Sequence, residues 1–65
     1  MRVTFRDVDS GTLKFVETSF MVCSDNEIKV WEVGNEDGQY HVAYRGEDAE
    51  TEFQRFVSCG RIMEI

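Results

Sequence analysis

Proline is absent from the 65 residues, histidine occurs once, and the two cysteines do not form a C-x-x-C pair. Without proline, the chain is punctuated by five glycines and by clusters of Asn, Asp and Ser. A zinc centre would have to draw on His41, Cys23, Cys59 and a carboxylate brought together by folding, without any of the close ligand spacings that mark such sites, so no metal or other cofactor is expected. In a reducing compartment Cys23 and Cys59 are simply two free thiols; in a secreted chain, a bridge closing that long loop would add about 3 to 4 kcal/mol. No segment approaches the ~20 apolar residues of a membrane span, and "MRVTFRDVDSG" holds no apolar run of signal-peptide length. A cytoplasmic chain without membrane contact is therefore expected. Cations are scarce as well: seven Lys and Arg stand against thirteen Asp and Glu, a net charge of −6. Such a field repels phosphate backbones and argues against direct nucleic-acid binding. It favours basic protein partners, among them proteins that themselves bind nucleic acid, although solubility alone is served by the same charge.

What the chain does have is aromatic side chains, 12% of its residues, spread from Phe5 to Phe56. A domain of this size buries only about 60% of its unfolded surface, so large buried rings compensate for a small core. One domain, 1–65, is expected, folded rather than disordered.

The clusters of turn residues cut the chain into six pieces. "MRVTFRDV" alternates, with Val3 and Phe5 on one face of a half-buried strand, and "DSG" at 9–11 reads as a turn. In "TLKFVETSFMVC" Leu13 and Phe15 have one parity while Phe20 and Val22 have the other. The phase is reset between Glu17 and Ser19, by a bulge in one long bent strand or by a tight turn between two short ones. "SDNE" at 24–27 is a further turn, and "IKVWEV" is a strand with apolar residues on both faces. "YHVAYR" alternates, with Tyr40, Val42 and Tyr44 on the apolar side and His41 facing solvent beside Ala43. After Gly46 the period changes. Ala49, Phe53, Phe56 and Val57 fall on one helical face, Asp48 fits an N-cap, and Gly60 fits a left-handed C-cap. "RIMEI" closes the chain as a short edge strand.

This order predicts an α+β fold: a small, largely antiparallel sheet of four or five strands with one late α-helix packed on one face. An SH3-like or OB-like small barrel with a helix is the alternative.

"NEDGQYHVAYRG" lacks the alternating oxygen ligands and closing Glu of an EF-hand loop, and it lies between strand patterns. Asp37-Gly38 instead reads as the centre of a type I′ hairpin turn, which would set Val33 opposite Val42 and Trp31 opposite Tyr44. A longer loop with Val33 opposite Tyr40 keeps the same faces. No catalytic residue stands out. A Cys-His pair lacks an oxyanion site and a cleft, and thirteen acids make chance neighbours inevitable, so a non-enzymatic protein is expected.

Two features point to partners. Glu47, Asp48, Glu50 and Glu52 crowd the first turn of the helix, where they compensate its dipole, and where they also form a rigid row of carboxylates able to imitate nucleic-acid phosphates. Glu36 and Asp37 would join that partner-binding set if the fold brought them beside the helix. The second feature is surplus apolar surface on "IKVWEV" and "SFMVC", more than one helix can cover. The expectation is a small acidic interaction protein of bacterial or bacteriophage type, an inhibitor occupying the basic groove of a nucleic-acid-handling protein. The alternative is a self-associating structural or accessory domain, a homodimer through the open sheet face.

Overall fold

The computed structural model describes residues 2–35, 38–58 and 62–63. The chain forms β1 (Arg2–Arg6), β2 (Leu13–Ser24), β3 (Glu27–Glu32), β4 (His41–Arg45), α1 (Ala49–Ser58) and the two-residue β5 (Ile62–Met63). The sheet runs in the order β4-β3-β2-β1-β5, and each neighbouring pair is antiparallel. The fold is thus α+β, with an open sheet. Among the described residues β1 and β4 share no ladder. The sheet nevertheless curls far enough for the Val8 N–H to donate to the Val42 carbonyl at 2.8 Å.

The central strand explains the curl. β2 is one continuous twelve-residue strand whose pairing with β3 shifts between Thr18 and Phe20, leaving Ser19 as the extra residue of a bulge. Of the two ways of resetting the phase, the bulge is the one adopted. It places Val16, Thr18, Met21 and Cys23 towards the core, and Leu13, Phe15, Phe20 and Val22 on the opposite face. The buried Thr18 stabilises the distortion: its hydroxyl lies between the carbonyls of Phe20, at 2.8 Å, and Trp31.

The core gathers Val3, Phe5, Ile28, Val30 and Ala43 from the sheet with Ala49 and Phe56 from α1. Ala49, Phe53 and Phe56 form the inward helical face as the spacing requires, but Val57, expected on that face, is 52% exposed because it lies at the margin of a narrow apolar stripe. Asp48 occupies the N-cap position, its carbonyl accepting the Glu52 N–H at 2.9 Å.

One of the two β-hairpins at this side of the sheet follows expectation and the other does not. Ser24 pairs with Glu27 across Asp25 and Asn26, whose φ angles of 54° and 60° are those of a type I′ turn. That geometry was expected at Asp37-Gly38. The β3–β4 ladder instead pairs Lys29 with Val42 and Val30 with His41. Neither the Trp31–Tyr44 register nor the longer-loop alternative is present. Gly34, at φ 91°, turns the chain straight after β3, with the Asn35 N–H donating to the Glu32 carbonyl at 3.0 Å, so the connection starts before Asp37 is reached. Glu36, Asp37, Cys59 and Gly60 lie outside the described residues, and with them the proposed roles in turn, thiol and cap. A second irregularity, between Ile28 and Lys29, makes Ala43 an extra residue in β4 and breaks its alternation: Val42, opposite Lys29, is buried apart from the main core cluster, while Tyr44 packs against that cluster.

Candidate interaction surfaces

His41 was expected to face solvent, and it does not. Val30, its partner across the ladder, is a core residue, so the imidazole lies on the inner face against the Phe5 ring, with centroids 5.8 Å apart. Its Nδ1 is 3.1 Å from the Asp7 carboxylate and its Nε2 is 3.1 Å from the Glu32 carboxylate. Ionised carboxylates only accept, so a neutral ring can donate to one of them, whereas an imidazolium donates to both. The group ties the end of β1 to the end of β3 through β4. Asp7 is buried, and its Oδ1 also accepts the backbone N–H groups of Asp9 and Ser10 at 2.9 and 3.3 Å. Burial alone would raise its pKa, but these N–H bonds and the His41 ring outweigh it and hold the carboxyl below its ordinary value. The arrangement has the look of a catalytic dyad without its other parts. Both ring nitrogens lie against carboxylates, and among the described residues no nucleophile is bonded to the ring. The depressions found are small, of about 120 and 280 Å³, and lie elsewhere, over β1 and β2. No cluster of three or more His, Cys, Asp or Glu able to hold a metal occurs among the described residues.

Along the acidic helix start Glu47, Asp48 and Glu50 are exposed and Glu52 is half-buried. Glu52 lies 3.1 Å from Arg55, and Glu50 neighbours Cys23, whose thiol is pushed up first by burial and then by that carboxylate. Cys23 is therefore a poor nucleophile at neutral pH. The fold adds acids that sequence alone did not place there. The Gly46 N–H donates to the Asn26 carbonyl at 2.9 Å, joining the β2–β3 turn to the residue that precedes Glu47. Asp25, with its side chain 86% exposed, thereby stands beside the helix start. Arg45 binds Glu27 at 2.7 Å and Asp9 at 3.5 Å, drawing both to the same end. The signal for Asp25 was the type I′ turn itself, which fixes where the hairpin tip ends.

The helix-free face carries a different chemistry. Phe20 stacks on Trp31 with centroids 4.7 Å apart at 18°, and Trp31 meets Tyr40 at 4.9 Å, so β2, β3 and the residue before β4 contribute one row of rings. Lys29 lies over the Tyr40 ring at 5.4 Å, and Arg2 lies over Phe15 at 5.7 Å. No described helix is long and apolar enough to cross a membrane. In comparisons with known proteins, no family model, curated protein or solved structure matched the chain.

Proposed function

We propose that the chain is a non-enzymatic protein-binding protein whose acidic end occupies a basic groove on a nucleic-acid-handling partner. The observation that supports this reading is the Gly46–Asn26 backbone bond, which sets the exposed Asp25 beside Glu47 and Asp48. Carboxylates from a strand turn and a helix start thus share one rigid end, the distribution that a phosphate mimic requires. Glu50 is exposed as well and extends the same row, whereas Glu52 is half-buried and paired with Arg55.

The test is capture of partners from the native host, followed by challenge. Binding of this kind weakens steeply as salt rises from about 0.1 to about 0.5 M, because the Debye length shrinks from ~10 Å to below ~5 Å. Added duplex or single-stranded DNA displaces the chain from its partner. Asp25→Lys, Glu47→Lys and Asp48→Lys together abolish capture, while Glu52→Gln leaves most of it. Capture indifferent to salt, to DNA and to the triple reversal would refute the proposal.

A further inference from the structure

On the face opposite the helix, Leu13, Phe15, Phe20, Val22 and Tyr40 are 65, 56, 43, 37 and 41% exposed. With the half-buried Trp31 they present on the order of 500 Å² of apolar surface, the size at which a patch marks an interaction site rather than scattered residues. With a polar rim this approaches the ~800 Å² per partner of a stable interface.

The chemistry of the rim decides the kind of partner. Arg2 is 3.6 Å from Glu17, Arg45 is 2.7 Å from Glu27, Lys29 is 3.3 Å from Asp25, and the Arg6 guanidinium donates to the Gly11 carbonyl at 2.9 Å. These cations are already matched, so a phosphate backbone would find rings to stack on but few cations free to receive it. The face is close to neutral on a molecule of net charge −6. It is therefore the one surface described through which two copies can approach without bringing acid against acid.

The pattern along β2 is also symmetric. Leu13 and Phe15 lie as far before the Glu17–Thr18 midpoint as Val22 and Phe20 lie after it, and the Ser19 bulge puts all four on the same face. We infer that a second copy of this chain docks on the helix-free face about a twofold axis through the middle of β2. Phe15 of one copy then meets Phe20 of the other, and Leu13 meets Val22, each contact occurring twice as an isologous interface requires. The depressions beside Phe15 and Leu13, lined by Arg2 with Glu17 and by Thr4 with Arg6, receive the second copy's Phe20 and Val22. The surface lies on the other side of the sheet from the helix and shares only Asp25, the partner of Lys29, with the acidic end, so variants at Leu13 and Phe15 test this inference separately from that reading.

Sedimentation equilibrium of the full chain from about 1 µM to about 1 mM tests it. Wild type shows a concentration-dependent dimer. Phe15→Glu raises the dissociation constant at least ~100-fold. Leu13→Glu does the same, and its exposed position keeps it folded by circular dichroism if Phe15→Glu is not. Val57→Glu, on the helix, leaves the dimer unchanged. A chain that stays monomeric throughout, a dimer equally stable in the folded Leu13→Glu variant, or a dimer displaced by a single-stranded oligonucleotide would overturn the inference.

Discussion

Asp7 combines burial with ionisation, and the consequence is a stability that depends on acid. Its folded pKa is depressed relative to the unfolded chain, so it contributes stability above the ordinary carboxyl value near pH 3.9 and loses that contribution as the pH falls through the folded value. In urea titrations at pH values from about 7 down to about 2.5, wild type should lose stability steeply below about pH 4. Asp7→Asn should be about 1 to 3 kcal/mol less stable at pH 7, with a flatter acid limb. An unchanged acid limb in the variant would assign the effect to other carboxylates. Neither Asp7 nor His41 was legible as part of this group. The contact joins residues 34 apart in sequence, and the alternation of "YHVAYR" assigned His41 to the solvent side, because the bulge at Ala43 that divides Val42 from Tyr44 leaves no mark in residue type. Glu47 and Asp48 were legible as exposed acids because the helix start decides it locally, whereas the engagement of Glu50 with Cys23 depends on how α1 crosses β2.

At the scale of elements, what could be read locally was read well. β1, the helix face through Ala49, Phe53 and Phe56, the turn at 25–26 and the phase reset in β2 all follow from periodicity and turn residues. The β3–β4 connection was misread because two glycines compete for it, and the earlier one, Gly34, turns the chain first. The bulge in β2 depends on Thr18, which is fully buried and whose hydroxyl serves carbonyls on both β2 and β3. Thr18→Val keeps the shape and removes the hydroxyl's single proton, so that one of these carbonyls loses its donor, at a cost of about 1 to 3 kcal/mol. Thr18→Ser should cost less than Thr18→Val by urea midpoint. The reverse order would mean that packing of the methyl group, not the hydroxyl, holds the bulge.

At the scale of the molecule, the fold divides two chemistries that are mixed along the chain. Acids from the β1–β2 turn, the β2–β3 turn and the helix start meet at one end, and aromatic residues from β2, β3 and the start of β4 line the helix-free face. Composition disclosed both ingredients and the surplus apolar surface, but not their separation, which arises from bulges and cross-strand registers. The sheet order has one more consequence. Arg2 pairs with Met63, so the first and last strands are neighbours at one edge. A short glycine-serine connector between the ends should therefore allow circular permutation, with new termini opened in the β3–β4 connection near Gly38, away from the Asp25–Asn26 tip. The permutant should keep the circular dichroism spectrum and cooperative melting of the parent; an unfolded product would show that the covalent link from β3 to β4, and not only their final pairing, is needed to reach this sheet.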